Sequence, residues 1–236
     1  MLRGIDLSLH AGEILGVAGL EGSGKTALAR AIFGDLPLES GEMEIKGRKL
    51  DSTRPRGAIE VGIGYLSDDR KREGLLLQQS LYDNAMLTRR AFAQPLRPPT
   101  SGDMSADEAD RQLRQLDVRA GSFEQEARLL SGGNQQKVII ARWLARDPEI
   151  LLFCEPTRSV DVAAKAAIYK IMRDLASRGR GILMISSDLP EVIGVSDRIV
   201  VMRQGAIAGE CPGGASEEDV MSIAVGHGRE APTPVS

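Results

Sequence analysis

The sequence is poor in cysteine and histidine and has no excess of positive charge. Two cysteines, Cys154 and Cys211, occur in 236 residues, which argues against a disulfide framework and fits a reducing compartment. The formal net charge of −3 provides no bulk attraction for nucleic acid. No apolar run approaches the length of a membrane-spanning helix, and the first residues do not resemble a secretory signal. These absences predict a soluble protein without a nucleic-acid partner.

A glycine-rich segment near the N-terminus is the most informative stretch. Residues 19–26 have the sequence Gly-Leu-Glu-Gly-Ser-Gly-Lys-Thr, the pattern of a nucleotide-binding phosphate loop. The glycines let backbone N–H groups converge on phosphate oxygens. Lys25 can reach the β- and γ-phosphates, and the Thr26 hydroxyl can bind Mg²⁺. A plain glycine-rich turn is the alternative, but a predicted strand at Ile14–Ala18 and a predicted helix at Ala27–Phe33 flank the segment as nucleotide binding requires.

Most of the remaining sequence alternates between strand and helix patterns. This alternation predicts an α/β fold with a mainly parallel sheet core and a small antiparallel β part. The predicted strands are residues 2–9, 43–45, 48–50, 62–66, 150–153, 182–185, 199–202 and 206–210. The predicted helices are residues 81–90, 105–116, 135–146, 161–177 and 190–195, with a closing helix capped by Ser216.

The middle of the chain interrupts this alternation. Residues 68–146 are predicted to form an inserted helical subdomain, with a Pro/Gly-rich loop at residues 94–103 and a capping box at Ser105. We expect one nucleotide-binding domain over residues 1–226 and a disordered tail over residues 227–236.

Two further motifs carry polar groups to predicted element ends. Leu130–Gln136 has the sequence Leu-Ser-Gly-Gly-Asn-Gln-Gln just before a helix, where an anion site or a simple helix cap is expected. Glu155 follows the apolar strand 150–153, at the sheet edge where α/β proteins bind ligands. A carboxylate there can orient or deprotonate an attacking water.

Taken in order, these motifs resemble an ABC-transporter ATPase. The closer resemblance is to the C-terminal nucleotide-binding half of the tandem ATPases of bacterial monosaccharide importers of the ribose, galactose and xylose type. The residues that carry it are Gly16–Leu20, Asp69–Leu75, Ser131–Lys137, Glu155–Arg158 and Ser186–Glu191.

The resemblance implies how the site works. ATP and Mg²⁺ are bound by the phosphate loop of one domain and by the Ser-Gly-Gly turn, Ser131–Gly133, of a second ABC ATPase domain. Asp161 would link the two sites, Asp68 would sense the γ-phosphate and assist Thr26 at the metal, and Glu155 would be the catalytic residue. The remaining implied contacts to ATP come from Gly19, Leu20, Glu21, Gly22, Ser23, Gly24, Lys25 and Ala27.

The resemblance also implies partners and a location. Membrane permease subunits would dock at the segment beginning at Asp68, and a periplasmic sugar-binding protein would act indirectly. The protein would lie on the cytoplasmic face of the bacterial inner membrane as a peripheral subunit.

The sequence departs from the family pattern at three places. Cys154 stands where the strand before Glu155 has an Asp that supports Mg²⁺, and a thiol is a soft ligand for a hard cation. Losing such a charge-assisted contact would cost about 1.5–3 kcal/mol. Ser187 stands where many ABC ATPases have a histidine, although the second halves of sugar-importer ATPases often lack it. The first strand and an adenine-stacking aromatic would precede Met1, so we expect a shortened subunit or a fragment.

These departures leave three functions open. The first is an ATP-hydrolysing subunit of a monosaccharide importer. The second is a degenerate binding module that completes a partner's site with little hydrolysis of its own. The third is an ABC ATPase outside transport, against which the sugar-importer residues argue.

Overall fold

The computed structural model describes residues 2–50, 54–92 and 106–226. The predicted loop at 94–103, the capping residue Ser105 and the predicted tail at 227–236 lie outside these ranges. The strands are β1 Ile14–Ala18, β2 Glu44–Ile45, β3 Arg48–Lys49, β4 Ile63–Leu66, β5 Ile150–Cys154, β6 Gly181–Ile185, β7 Arg198–Arg203 and β8 Ala206–Pro212. The helices are α1 Lys25–Ile32, α2 Pro55–Glu60, α3 Leu81–Ala91, α4 Ala106–Gln115, α5 Gly132–Leu144, α6 Val162–Ser177, α7 Leu189–Val195 and α8 Glu217–Val225.

A six-stranded sheet has the order β4-β5-β6-β1-β7-β8 in the described chain. β5, β6, β1 and β7 run parallel to one another, and β8 is antiparallel to β7. Every residue of β1 and β6 is buried, as expected for central strands covered on both faces. β2 and β3 form the small antiparallel pair. The α/β prediction with a mainly parallel sheet is therefore confirmed.

The strand predicted at residues 2–9 is wrong. Arg3 donates a backbone hydrogen bond to Gly205, but the segment forms no ladder with a neighbouring strand. Its imperfect alternation arises because side chains such as Leu9, which lies over Gly181, pack against the sheet without backbone pairing. β1 already has β6 and β7 on its two sides, so it offers no free edge to this segment.

Three short elements were not predicted from the sequence. Pro55 occupies the first turn of α2, the position that proline favours in a helix. Residues Arg70–Gly74 form a π-helix, and Ala127–Leu129 form a 3₁₀ turn. Each is only one or two turns long, so hydrophobic periodicity gives little signal for it.

The chain divides into two compact units. Unit 1 comprises Met1–Tyr65, Glu149–Pro156 and Met172–Ser236. It contains all of the six-stranded sheet except Leu66, the last residue of β4. Its core includes Ile14, Leu15 and Phe153, which are fully buried.

Unit 2 comprises Leu66–Pro148 and Thr157–Ile171. Its packing centres on α3 against α5, where the buried Arg142 donates to the backbone oxygen and the side-chain oxygen of Asn84, each at 2.9 Å. Burial lowers the pKa of Arg142 to about 10. Among the described residues, no helix is both long enough and apolar enough to cross a membrane.

Candidate functional site

The phosphate loop connects the central strand β1 to α1 in unit 1. Gly24 occupies the N-cap position of α1, and it provides no side-chain cap for the first-turn amides. No acidic residue lies in that first turn. The unpaired N–H groups and the helix dipole therefore remain available for an anion.

Two glycines of this loop are required by its path. Gly19 has φ 147°, and a Cβ there would overlap the carbonyl oxygen of Met202. Gly24 has φ 103°, and a Cβ there would lie 3.3 Å from the Cα of Gly205. Gly205 in turn donates a backbone hydrogen bond of 2.9 Å to Ser23. The turn between β7 and β8 thus packs against the phosphate loop and is hydrogen-bonded to it.

Lys25 is half-buried at the start of α1. Its ammonium group donates to the carbonyl oxygen of Ser186 over 3.3 Å, a long and therefore weak hydrogen bond. Burial lowers the pKa of Lys25, while the nearby carboxylates of Glu155 and Glu21 act to raise this pKa. The ammonium group is thus close to an anion site without being tied to a strong partner.

Glu155 lies directly after β5, next to the end of β6. Its backbone N–H donates to Ile185 over 2.8 Å, and its carboxylate Oε2 accepts from the Ser187 hydroxyl at 3.0 Å. Its φ of +49° is unusual for a residue with a side chain and is the kind of local strain found at functional sites. Because β5, β6 and β1 are neighbours, Glu155, Ser187 and the phosphate loop share one edge of the sheet.

Cys154 is the last residue of β5 and is fully buried. It is paired in register with Ile185 of β6. Its thiol therefore occupies a strand end beside Glu155, where it provides no acidic oxygen. In the described part of the chain, no group of three His, Cys, Asp or Glu side chains is arranged to hold a metal ion.

The Ser-Gly-Gly turn lies in unit 2 at the start of α5. Ser131 is its exposed N-cap residue, and the Ser131 hydroxyl accepts from Asn134 at 3.0 Å instead of capping a backbone amide. A Cβ on Gly132 would lie 2.9 Å from the carbonyl oxygen of Ser159, and one on Gly133 would overlap the Cβ of Ala164. Close packing therefore requires glycine at both positions, and the absence of side chains also leaves the helix N-terminus accessible.

We expect Gly133→Ala to destabilise unit 2. The added methyl has no room against Ala164, and overpacking of this kind costs about 1–3 kcal/mol. Urea unfolding followed by circular dichroism measures the loss. Gly121→Ala is the matched control, because a Cβ there meets its nearest neighbour, Gln125, at 3.6 Å. Equal midpoints for the two variants would contradict the packing argument.

The two predicted aspartates have local roles in unit 2. Asp161 accepts from the backbone N–H of Ala164 at 2.9 Å and so caps the start of α6. Asp68 is half-buried beside Ser67, whose hydroxyl lies 3.5 Å from the Asp68 carboxylate. Their predicted roles toward ATP and Mg²⁺ stay predictions.

Sequence reasoning missed Arg70. This half-buried side chain donates to the carbonyl oxygens of Gly132 at 3.1 Å and Arg158 at 2.8 Å. In the sequence it is one of six charged residues in a row, residues 68–73, and nothing in that run distinguishes it from its exposed neighbours Lys71 and Arg72.

A phosphate loop after a central parallel strand, with a carboxylate at the same sheet edge, defines a P-loop nucleotide-binding protein. The family model described as "ABC transporter" matches residues 2–158. The chain belongs to this family, as an ATP-binding domain of the ABC ATPase type.

The curated relatives that the chain resembles have more specific names than the family model. The chain is 46% identical over 227 residues to the ribose import ATP-binding protein RbsA 3 of Rubrobacter xylanophilus, covering 95% of this chain and 45% of that protein. It is 44% identical over 225 residues to the ribose import ATP-binding protein RbsA of Clostridium tetani, again covering 95% and 45%. The chain thus spans a little under half the length of these relatives.

Solved structures share the fold. A nucleotide-free ATP-binding cassette from an ABC transporter superposes with a TM-score of 0.78 at 23% identity, covering 95% of this chain and 88% of that chain. A cassette solved as a dimer in a post-hydrolysis state with ADP and Pi gives a TM-score of 0.76 at 24% identity, with coverages of 89% and 90%.

Proposed function

We propose that this chain is the ATP-binding and ATP-hydrolysing domain of an importer for a monosaccharide of the ribose type. The observation that carries the proposal is the shared sheet edge in unit 1, where the phosphate loop, Lys25 and Glu155 converge. The import function is supported by relatives at 44–46% identity that are named as ribose import ATP-binding proteins. We assign residues 1–226 to one nucleotide-binding domain with a helical subdomain over about residues 68–146.

In this proposal the phosphate loop binds the tail of ATP. Residues 19–27 surround the β- and γ-phosphates, because the uncapped start of α1 presents its first-turn N–H groups to an anion. Lys25 exchanges its weak contact to Ser186 for a charge-assisted contact to phosphate. The exchange requires no rebuilding of the loop, since the turn at Gly205 already supports it.

Glu155 is proposed as the residue that orients the attacking water and accepts its proton. The hydrogen bond from Ser187 fixes one carboxylate oxygen, Oε2. A fixed carboxylate loses less freedom when the reaction begins than a mobile one. Ser187 thereby orients Glu155.

Mg²⁺ fits the residues present when it arrives bound to the phosphates of ATP. The Thr26 hydroxyl offers one oxygen, and Mg²⁺ normally keeps several waters and substrate oxygens as ligands. When bound, the ion would neutralise charge on the phosphates. Cys154 offers no oxygen, and a ligand role for Asp68 stays a prediction from the resemblance.

A second ABC ATPase domain is proposed to complete the site. The Ser-Gly-Gly turn has an exposed serine hydroxyl and an uncapped helix start, which suit the γ-phosphate of ATP held by a partner. The post-hydrolysis cassette with ADP and Pi is described as dimeric. We propose Asp161 as the link between the two sites of such a pair.

The proposed setting is the cytoplasmic face of a bacterial inner membrane, with permease subunits as partners and a periplasmic sugar-binding protein acting through them. The test is reconstitution of the chain with ribose-type permease subunits in lipid vesicles. We expect a stable complex whose ATP hydrolysis rises when the sugar-loaded binding protein is added. Hydrolysis that is indifferent to the permease would reject the transport role.

Cys154→Asp is expected to raise ATP hydrolysis about tenfold to a hundredfold, because the new carboxylate contributes about 1.5–3 kcal/mol of charge-assisted contact to the metal shell. Without nucleotide the same variant should be less stable, since Cys154 is fully buried and an unpaired carboxylate is costly there. Steady-state phosphate release and thermal melting with and without MgATP measure the two effects. Cys154→Ser, which adds no charge, is the matched control.

The fully buried thiol also favours a second candidate function, a module that binds ATP but turns it over slowly. Vigorous hydrolysis by the wild-type chain, unchanged in Cys154→Asp, would reject this candidate. A low wild-type rate with a large gain in Cys154→Asp would support it.

A further inference from the structure

Arg70 lies at a junction of three segments in unit 2. It is the first residue of the π-helix Arg70–Gly74, a rare element that is often found at functional sites. One terminal nitrogen of its guanidinium donates to Gly132 at 3.1 Å, and the other donates to Arg158 at 2.8 Å. One side chain therefore joins the Ser-Gly-Gly turn to the loop Arg158–Asp161.

The residues around this junction are closely packed. A Cβ on Gly132 would lie 3.4 Å from the Arg70 guanidinium and 2.9 Å from Ser159. At the far end of the π-helix, a Cβ on Gly74 would lie 2.8 Å from Ile139 of α5. The π-helix is thus held against α5 at both of its ends, by the guanidinium at the N-terminal turn of α5 and by close packing two turns later.

The charge at this junction is not explained by an ion pair. Within the described residues no carboxylate forms a salt bridge with Arg70, and burial lowers the pKa of its guanidinium. A cation near a helix N-terminus is unfavourable by itself, because the helix dipole is positive at that end. The two hydrogen bonds to carbonyl oxygens offset the cost of burying the guanidinium. An anion bound next to the turn would offset the unfavourable interaction with the helix dipole.

We propose that Arg70 is a positioning residue for the shared ATP site, holding the Ser-Gly-Gly turn and the Arg158–Asp161 loop in one arrangement so that both meet the partner's nucleotide together. This inference rests on the proposed function. It adds a role for a residue that lies in neither the Ser-Gly-Gly turn nor the Arg158–Asp161 loop.

The geometry requires a guanidinium at this position. Arginine presents several N–H groups in a rigid planar fork, so one side chain can reach two carbonyl oxygens in different directions. The lysine ammonium is a compact charge on a flexible stem and does not reproduce that fork. Arg70→Lys therefore keeps the charge and removes the bridge.

The experiment compares Arg70→Lys and Arg70→Ala with Arg72→Lys. Arg72 belongs to the same π-helix, but its side chain is 88% exposed and forms only a loose pair with Asp69, so it is the matched control. For each full-length chain, steady-state hydrolysis gives kcat and KM, and a fluorescence titration gives the affinity for MgATP. We expect both Arg70 variants to lose at least about tenfold in kcat while the MgATP affinity stays within about twofold. Arg72→Lys should match the wild type.

Hydrogen exchange provides a second readout that does not depend on turnover. The amides of Gln135, Val160 and Ala164 are hydrogen-bonded to residues in or next to the Ser-Gly-Gly turn and the Arg158–Asp161 loop. We therefore expect these amides to exchange faster in Arg70→Lys and not in Arg72→Lys. The proposal is overturned if Arg70→Lys retains the wild-type kcat and protection, or if kcat and MgATP affinity fall together. Absence of MgATP binding in the wild type would instead refute the proposed function, and the exchange data would still decide the role of Arg70.

Discussion

Replacing Lys25 by Ala is expected to lower the affinity for MgATP by roughly a hundredfold, because each hydrogen bond to a charged group contributes about 1.5–3 kcal/mol and 1.4 kcal/mol is a factor of ten. The ammonium lies at the start of α1 beside the uncapped amides, with only a 3.3 Å contact to Ser186 in place of a phosphate. Isothermal titration with MgATP measures the change.

The control for this experiment is Lys49→Ala. It removes the same charge from an exposed ion pair with Glu42 in the β2–β3 hairpin, where surface pairs contribute at most about 1 kcal/mol to stability. Its nucleotide affinity should equal that of the wild type. If Lys25→Ala also binds MgATP as the wild type does, the phosphate loop is not the nucleotide site and the proposed function fails.

Glu155→Gln is expected to abolish most ATP hydrolysis while MgATP still binds. The amide is close in shape to the carboxylate and can still accept from Ser187, but it cannot take a proton from water. General-base catalysis contributes about 10²–10⁴-fold, so a loss in that range is expected. Phosphate release under saturating MgATP gives the rate, and titration gives the retained affinity.

Glu60→Gln is the matched control, because Glu60 forms an exposed i,i+4 pair with Arg56 on α2. Retention of full hydrolysis in Glu155→Gln would remove Glu155 from the proposed mechanism and leave the binding role of the phosphate loop intact. The two experiments therefore separate binding from turnover.

Much of the fold was predictable because its signals are local. The central strands are continuous apolar runs, and β1, β5, β6 and β7 appear within one residue of their predicted bounds. The phosphate loop has its chemistry in eight consecutive residues, so order along the chain is sufficient to predict it. The strand predicted at residues 2–9 failed because side-chain alternation reports burial on one side and carries no information about a hydrogen-bonded neighbour.

Contacts between distant residues were decided only by the folded chain. Arg70 meets Gly132 and Arg158 across 62 and 88 residues, and Ser187 meets Glu155 across 32 residues. A charged run in the sequence gives no reason to prefer one of its members over the next. Consecutive residues specify the phosphate loop because its geometry comes from its own backbone. The bridge at Arg70 exists only because packing brings two distant segments, at Gly132 and Arg158, within hydrogen-bonding distance of one guanidinium.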